Sequence, residues 1–395
     1  MSWNFLKHLI AVTGETESPT EYWRWAGIAC LAATLRNNCW IISQAGIVYP
    51  NIYVVLFADS GLTRKGYPCK YVGSLIRRTN NTKFLGGRAS IQGIIKELSQ
   101  SYTNTEGTMV SGASGLMYSE ELSSFLVDDP VAIPLLIDLY DYHEVWESKL
   151  ITSHWKLKEV CLSLLCASNS NLFKSVYTER AINGGLLGRT FIIKEERARH
   201  RKSLIDFGKM ELNGQIDPDR LWKHLVKISK LRGELRLTDA AKDEYNSWYY
   251  AIPDSVFSDR IGFGSRLGTH VLKLAIALAA ARDDFALVLD KDDIVEAITL
   301  CQAIRNNYKG LIVGVGTAAT SHQASLIVKH LILSPSYHAS RKNLIQKLFG
   351  DVEMNDMDAI LQMLIHGGLV VERSINNEPG FKLTDDGVRK LVEGE

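Results

Sequence analysis

Residues 51–66 of the chain read Asn51-Ile-Tyr-Val-Val-Leu-Phe-Ala-Asp-Ser-Gly-Leu-Thr-Arg-Lys-Gly66. Residues 52–57 form an unbroken apolar run rich in β-branched and aromatic side chains, which is typical of a central strand in a parallel sheet. Small residues, two glycines and two cations follow, at the point where the next helix would begin. The stretch therefore predicts a buried strand, a glycine-containing turn and a helix of an α/β fold.

The turn has the composition of a phosphate-binding loop. In such a loop, backbone N–H groups and a helix N-terminus face an anion, and a lysine reaches the outer phosphates. The fit to the pattern G-x-x-x-x-G-K-[ST] is incomplete, because Arg64 replaces the glycine before the lysine and Gly66 replaces the hydroxyl residue after it. The candidate nucleotide-binding residues are Ser60, Gly61, Thr63, Arg64, Lys65 and Gly66.

The composition is ordinary for a globular protein, and its 395 residues suggest two or three domains. The 45 Lys plus Arg nearly balance the 44 Asp plus Glu, so any nucleic-acid-binding surface must be a local patch. Six scattered cysteines lack zinc-site spacing and indicate buried free thiols. A signal-peptide pattern and a membrane-spanning stretch are both lacking, so we expect a reducing, cytoplasmic setting without a membrane partner.

Two further apolar runs end in polar residues. The first precedes Glu120 and Glu121, and paired carboxylates at such a position orient a magnesium ion and the attacking water in P-loop NTPases. The alternative is a helix N-terminus, where glutamate is common. The second run, 160–167, precedes Asn169, at the end of a strand where α/β sheets bind ligands. The alternative for Asn169 is an ordinary turn.

Two arginines are candidates for contacts with phosphate. Arg189 stands between a glycine-rich turn and a predicted strand, and a guanidinium suits the charge of a transferring phosphoryl group. The alternative for Arg189 is a surface salt bridge. Arg266, His270 and Lys273 are spaced to share one face of an apolar helix. That face could contact nucleotide as part of a lid, or it could flank the core.

Four more features are predicted from the rest of the chain. Residues 145–157 alternate loosely and indicate a β-hairpin with a basic tip, whereas the charge run 195–202 indicates a linker. Residues 217–310 are predicted to be helical throughout. Residues 317–395 contain three helices and a two-stranded wing, which is a winged-helix pattern. Its candidate recognition helix, 355–366, is acidic, and this weakens a role in duplex-DNA binding. Winged helices also serve as protein-interaction modules.

In the order of these parts, the chain resembles phage and mobile-element P-loop ATPases of the replicative-helicase or primase-helicase type. The resemblance covers about residues 15–310 and rests on six segments taken together rather than on one strong motif. The segments are Ser18-Pro-Thr-Glu-Tyr-Trp-Arg-Trp-Ala26, Tyr49-Pro-Asn-Ile-Tyr-Val-Val-Leu56, Asp59-Ser-Gly-Leu-Thr-Arg-Lys-Gly66, Tyr118-Ser-Glu-Glu-Leu122, Gly184-Gly-Leu-Leu-Gly-Arg189 and Ser265-Arg-Leu-Gly-Thr-His-Val-Leu-Lys-Leu-Ala275.

The resemblance implies a fold and a set of site residues. It implies a P-loop NTPase core with a RecA- or AAA+-like parallel sheet, ATP and Mg²⁺ as cofactors, and Lys65 on the β- and γ-phosphates. Glu120 or Glu121 would be the acidic residue and Asn169 the γ-phosphate sensor. Arg189 would act in trans on a neighbour's nucleotide, and Arg266 would be the lid arginine.

The resemblance also implies partners. Such proteins work as homo-oligomeric rings, here a hexamer with ATP between subunits, in the host bacterial cytoplasm. The hairpin would contact single-stranded DNA in the channel, and a primase or an initiator is a candidate partner. The candidate DNA contacts are Lys149, His154, Lys156 and Lys158. The predicted domains are an N-terminal helical segment (1–48), the NTPase core (49–200), a helical lid (201–315) and a winged helix (316–395).

The departures from the family pattern leave the chemistry open. Because Gly66 replaces the hydroxyl residue, magnesium lacks its usual ligand unless Thr63 or Ser60 substitutes, and Ser119 stands where an aspartate is expected. One hypothesis is an ATP-dependent DNA-translocating ring, a replicative helicase. The other is a degenerate P-loop module with little hydrolysis, acting as replication initiator, helicase partner or assembly platform. An NTPase of phage defence or DNA packaging is a third class.

Overall fold

The computed structural model describes residues 3–44, 46–59, 61–86, 91–104, 107, 109–121, 132–150, 153–169, 185–201, 217–259, 261–311, 319–348, 352, 354–374 and 379–389. The chain divides into two compact units, Met1–Tyr308 and Lys309–Glu395. The finer division into four domains stays a prediction. Two predicted helices, at 122–126 and 173–181, lie outside the described residues.

The first part of the chain is a mixture of helices and strands. Its helices are α1 (Phe5–Val12), α2 (Thr20–Leu35), α3 (Gly66–Thr79), α4 (Ile91–Ser99), α5 (Ala132–Tyr140), α6 (Pro218–Ile228), α7 (Asp239–Tyr250), α8 (Asp254–Phe257), α9 (Leu267–Ala279) and α10 (Lys291–Leu311). Its strands are β1 (Cys39–Ser43), β2 (Gly46–Val48), β3 (Tyr53–Phe57), β4 (Lys83–Gly86), β5 (Tyr102–Thr103), β6 (Met109–Val110), β7 (Ser114–Ser119), β8 (His143–Leu150), β9 (Ser153–Ser168), β10 (Thr190–Lys194), β11 (Gly233–Glu234), β12 (Arg236–Leu237) and β13 (Val288–Leu289).

A six-stranded sheet forms the centre of this unit. Its parallel strands follow the order β10-β3-β9-β7-β4, and β8 pairs with β9 in the antiparallel sense. Phe57 at the end of β3 is paired with Lys194 of β10 and with Ser168 of β9. All five residues of β3 are buried, so the prediction of a buried central strand is confirmed. The register brings the carboxyl ends of β10, β3, β9 and β7 to one edge of the sheet.

Several predicted elements have different bounds. The second arm of the predicted hairpin and the apolar run 160–167 form one strand, β9. The charged residues between them belong to this strand and not to a loop. A helix is expected to begin at Gly86, but Gly86 is the last residue of strand β4. Residues 217–310 are not helical throughout, since β11 pairs with β1 and β12 pairs with β13.

Helix α2 packs at the centre of the unit. It is buried around almost its whole circumference, and the side chains of Tyr22, Trp23 and Trp25 are at most 2% exposed. A helix that is apolar on every side needs partners on every side, and α2 contacts α1, α3, α9 and the central sheet. Pro19, and not Ser18, occupies the N-cap position of α2. The Ser18 hydroxyl donates to the Arg64 carbonyl oxygen at 3.1 Å.

Helix α9 covers the amino-terminal edge of the sheet. His270 Nε2 donates to the Gly188 carbonyl oxygen at 2.9 Å, just before β10. Lys273 Nζ donates to Asn51 O and Oδ1 at 3.0 and 2.7 Å, just before β3. Burial lowers the pKa of Lys273 to about 8. The predicted shared face of His270 and Lys273 is confirmed, and both side chains flank the core.

The second unit is small and has its own core. Its elements are α11 (Ala319–Leu333), β14 (His338–Ser340), α12 (Arg341–Leu348), α13 (Met354–His366), β15 (Val370–Glu372), β16 (Gly380–Leu383) and α14 (Asp385–Val388). The strands form an antiparallel sheet in the order β14-β16-β15. Ile327, Leu331 and Leu344 are fully buried between the helices and this sheet. The three helices and the paired strands β15 and β16 agree with the prediction, which missed β14.

Two observations concern the setting of the protein. All six cysteines are free and buried, which confirms the prediction of buried thiols. Within the described ranges, none of the helices combines the length and the apolar character that crossing a bilayer requires.

We predict that His270 makes the stability of the first unit depend on pH. Burial, with the positive charges of Lys273 and Arg266, lowers the pKa of His270 from 6.5 to about 3. Below pH 6.5 the unfolded chain therefore binds a proton that the folded chain does not bind, so the free energy of unfolding falls with pH. Between about pH 7 and about pH 5 this loss is about 2 kcal/mol.

The measurement is urea unfolding followed by tryptophan fluorescence, since all eight tryptophans precede Lys309. His270→Gln removes the titrating group, so the variant should lose about 2 kcal/mol less than the wild type over the same pH interval. Equal losses in the two proteins would contradict this role of His270.

Candidate functional site

The loop of residues 58–66 lies at the carboxyl-terminal edge of the central sheet. It leaves β3 at Phe57, and the Ala58 N–H donates to the Ser168 carbonyl oxygen at 3.3 Å, which holds the start of the loop against β9. It ends where α3 begins at Gly66, with Lys65 in helical geometry at the cap position. The strand, loop and helix predicted from residues 51–66 are thus present in that order. Ser60 lies outside the described residues.

Helix α2 and the turn before it hold this loop in place through side-chain contacts. Tyr22 Oη donates to the Phe57 carbonyl oxygen at 2.6 Å and accepts from Thr63 Oγ1 at 3.5 Å. Thr63 is 1% exposed, so its hydroxyl is directed into the protein and away from the outer face of the loop. On that outer side, Arg64 has a φ of +51° and its Nε lies 2.8 Å from Glu17 Oε2.

Lys65 faces an open pocket on the outer side of the loop. The pocket measures about 370 Å³, and its lining includes Gly61, Arg64, Lys65, Gly66 and Glu120. Burial lowers the pKa of Lys65, and the carboxylates of Asp59 and Glu121 oppose that shift. The loop and the end of β7 therefore contribute to one site, as the sequence led us to expect for Lys65 and Glu120.

The two glutamates follow β7 directly and are both exposed. Tyr118 Oη donates to Glu120 Oε1 at 3.1 Å, which orients this carboxylate toward the pocket. A Cβ atom at Gly66 would lie 3.7 Å from Glu120 Oε2, so a small side chain would fit there. Ser119 Oγ donates to the Glu121 carbonyl oxygen at 2.7 Å and accepts from the Glu121 N–H at 3.1 Å. The hydroxyl of Ser119 is thus engaged in the turn.

Asn169 follows β9, whose last residue is paired with the last residue of β3. Since β9 lies between β3 and β7, Asn169 lies at the same edge as the Lys65 loop and Glu120. Of the five candidate catalytic residues, Glu120, Glu121 and Asn169 therefore share this edge with the loop.

Arg189 and Arg266 lie at the opposite edge of the sheet. Arg189 immediately precedes β10, and Thr190 is paired with Tyr53 at the start of β3. Arg189 Nη2 is 3.1 Å from Asp141 Oδ2, and its side chain is only 12% exposed. Arg266 Nη1 donates to the Gly262 carbonyl oxygen at 2.8 Å, and burial and the charge of Arg189 lower the pKa of Arg266. Within one chain, neither arginine joins the Lys65 site.

The hairpin of β8 and β9 brings three of the candidate DNA contacts, His154, Lys156 and Lys158, to one face. Glu147 is paired with Lys156 and Val145 with Lys158, and directly opposed residues face the same side; the backbone of Lys149 is paired with His154. The other face is apolar, with Trp146 opposite Leu157 and both of these side chains buried.

The exposed face of the hairpin is basic but not uniformly so. His154, Lys156 and Lys158 are exposed, and Lys156 Nζ forms an ion pair with Glu147 Oε1 at 2.8 Å. The hairpin tip, residues 151–152, lies outside the described residues.

Two residues of the Lys65 pocket were not predicted. Tyr67 and Lys70 complete its lining from the first turn of α3. The available signal was helical spacing, because a residue four positions after Gly66 returns to the face of the helix that carries the loop. Lys70 adds a third cation to Arg64 and Lys65, so the pocket has the positive charge that a phosphate chain requires.

The residues fit phosphate groups better than they fit a metal ion. Thr63 is engaged below the loop, Gly66 has no side chain, and Glu120 is the carboxylate in the pocket lining. Among the residues that the structure describes, no cluster of three or more His, Cys, Asp or Glu side chains could hold a metal ion. Glu120 is the carboxylate of the described pocket lining that could contact a hydrated magnesium ion.

The chain was compared with models of known protein families and with curated proteins, and neither comparison found a match.

Proposed function

We propose that this protein is an ATP-dependent motor that moves along single-stranded DNA, a ring-forming replicative helicase of a phage or mobile element. The observation that carries the proposal is the pocket at the carboxyl edge of the parallel sheet. There the loop with Lys65 and the carboxylate of Glu120 line one cavity at the start of α3. Ligands bind at this edge in open α/β sheets, and a helix N-terminus favours an anion.

On this proposal, Lys65, Arg64 and Lys70 hold the phosphates of ATP. Glu120, Glu121 and Asn169 lie where an attacking water and the γ-phosphate would be positioned, at the ends of β7 and β9. Phosphoryl transfer depends on placing charges around the γ-phosphate, so these residues act by position and charge.

The two arginines support a ring rather than a monomer. Arg189 and Arg266 are at the opposite edge of the sheet from Lys65, so they cannot complete the nucleotide site of their own chain. In a head-to-tail ring, one edge of each subunit faces the other edge of the next subunit. Arg189 would then act in trans, and a hexamer with ATP between subunits satisfies this requirement.

The second unit supports a role in replication. Helices α11, α12 and α13 and the antiparallel order β14-β16-β15 support the proposal that this unit is a winged helix. Asp358 on α13 forms an ion pair with Arg341 at 2.7 Å, so the candidate recognition helix carries an engaged carboxylate where duplex DNA would favour a cation. We therefore assign this unit to contacts with another protein, such as a primase or an initiator.

A second candidate function is a nucleotide-binding platform with little hydrolysis. Within the described residues, the hydroxyls that could serve such a site are absent or engaged: Gly66 has no side chain, Thr63 binds Tyr22, and Ser119 binds the Glu121 backbone. On this reading the protein acts as an initiator, a helicase partner or an assembly platform.

We predict that Lys65→Ala abolishes DNA-stimulated ATP hydrolysis. Loss of one preorganised charge at a phosphoryl-transfer site should lower kcat by about 100-fold or more. The measurement is ATP turnover with and without oligothymidylate, and Lys96→Ala, which removes an exposed lysine of α4, is the control. Wild-type turnover equal to that of Lys65→Ala would reject the motor and favour the platform.

We predict that Gly66→Ser raises the magnesium-dependent ATPase rate severalfold if the missing hydroxyl limits hydrolysis. The described residues leave space for it, because among them a Cβ at Gly66 meets Glu120 Oε2, at 3.7 Å. Gly66→Ala is the matched control, because it adds the same Cβ without the hydroxyl. Equal rates in the serine and alanine variants would exclude the missing hydroxyl as the limiting factor.

We predict that the basic face of the hairpin binds single-stranded DNA through phosphate contacts. Lys156→Gln with Lys158→Gln should weaken binding and reduce the slope of log affinity against log salt by about 1.4. Glu147→Gln removes the carboxylate of the same face and should strengthen binding. Anisotropy of a labelled oligothymidylate over a series of salt concentrations measures both effects. An unchanged slope in the double variant would exclude the hairpin as the contact.

A further inference from the structure

A second cavity opens at the amino-terminal edge of the central sheet. It measures about 770 Å³, and we call it the polar pocket. Its lining includes Tyr49, Asn81 and Ser111, which precede β3, β4 and β7. Because these strands are parallel, the polar pocket and the Lys65 pocket lie at opposite ends of the same sheet.

The polar pocket has an excess of positive charge. Among the described residues of its lining, Arg36, Lys230 and Arg232 are the cations and Glu159 is the carboxylate, and Lys230 already takes part in another interaction. Within the described part of the chain, neither Arg36 nor Arg232 has a carboxylate close enough for an ion pair, and Arg36 Nε is buried without a hydrogen-bond partner. Burial and the positive charge of Arg232 lower the pKa of Arg36. Two like charges brought together in this way are stabilised by an anion between them.

The backbone at Arg36 is also unusual. Arg36 ends α2 with a φ of +56°, a conformation in which glycine is normally favoured. An arginine at this position places a guanidinium in the polar pocket at a cost in backbone strain. Strained backbone of this kind is characteristic of ligand sites.

Aromatic rings and amides form the rest of the wall. The rings of Tyr49 and Tyr142 are 4.2 Å apart between centroids, and Trp40 is partly exposed beside them. Asn81 Nδ2 donates to Ser229 Oγ at 3.0 Å, and Asn81 Oδ1 accepts from Asn104. This network fixes the polar wall, while the rings provide surfaces on which a base can stack.

We infer that the polar pocket binds one nucleotide of a single-stranded nucleic acid, with its phosphate at Arg36 and Arg232 and its base against Tyr142 and Trp40. The combination of cations and aromatic rings is what recognition of single strands requires. The volume suits one nucleotide, and a base stacked inside a duplex would not reach the rings.

Two residues of the pocket lining lie at the base of the hairpin. Tyr142 immediately precedes β8, and Glu159 lies in β9 next to Lys158. A strand bound on the basic face of the hairpin can therefore enter the pocket at the base of the ribbon. In this respect the inference rests on the proposed function, which supplies the single strand.

The test uses the full chain without ATP and a labelled oligothymidylate, with affinity measured by anisotropy. Arg232→Gln should weaken binding about tenfold and reduce the salt slope by about 0.7. Tyr142→Leu should weaken binding about fivefold or more with an unchanged slope, because it removes stacking and not charge. Arg236→Gln, an exposed arginine of β12 that does not line the pocket, is the matched control.

The outcomes separate the inference from the proposed function. Wild-type affinity and slope in both pocket variants overturn the inference, and a weakened hairpin variant in the same experiment leaves the proposed function intact. Loss of binding in the pocket variants of a protein that hydrolyses no ATP supports the inference and rejects the motor. Free dTMP or a duplex bound as tightly as oligothymidylate overturns the assignment to a single strand, as does a wild-type protein that binds no oligothymidylate.

Discussion

The hydrogen bond from Tyr22 Oη to the Phe57 carbonyl oxygen fixes the point where the central strand becomes the loop. The same hydroxyl accepts from Thr63, so one buried side chain of α2 holds both the end of β3 and the middle of the loop. Burial raises the pKa of Tyr22, so this phenol stays protonated and remains a donor. The bond from the Ser18 hydroxyl to the Arg64 carbonyl oxygen holds the next part of the loop, so both bonds contribute to the position of Lys65.

The direction of the parallel strands divides the unit into two ends with different chemistry. At the carboxyl end, Lys65 and Glu120 form an open pocket suited to phosphates. At the amino end, the cations are Arg36 and Arg232 in the polar pocket, with Arg189 beside Asp141 near β10. Strands of five residues separate the two ends, so a side chain at one end does not reach a ligand at the other. This separation is why, within one chain, Arg189 and Arg266 do not reach the Lys65 pocket.

Local sequence patterns predicted the elements whose burial is continuous. The run at 52–57 has no polar interruption, so the strand, its burial and the following helix could be predicted from it alone. The hairpin face could also be anticipated, because alternation in 145–157 fixes which residues share a side. The charged residue Glu159 concealed the continuity of β9, since its charge suggests a loop, whereas the structure accommodates it inside the strand with a φ of +53°.

Features that depend on distant segments could not be predicted in this way. The hydrogen bond of the Thr63 hydroxyl is accepted by Tyr22, which lies 41 positions earlier in the chain. Nothing in the loop sequence indicates that the Thr63 hydroxyl is buried. The polar pocket is the extreme case, because its lining is drawn from segments between Arg36 and Arg232 that become neighbours only when the sheet forms. Arginine at a φ of +56° has no sequence signature.

The two ends of the sheet are nevertheless joined by the strands themselves. Strand β9 begins in the hairpin, passes the polar pocket at Glu159 and ends beside Asn169. Strand β7 begins just after Ser111 and ends at Glu120. Most residues of both strands within the sheet are buried, and packed interiors do not deform continuously. Suppose that nucleotide occupies one end of the sheet and a DNA strand occupies the other. A displacement of Glu120 or Asn169 must then move β7 or β9 as a rigid body or change the packing of that β-strand. For the proposed motor, β7 and β9 are the elements through which hydrolysis at the carboxyl edge would act on DNA held at the amino edge.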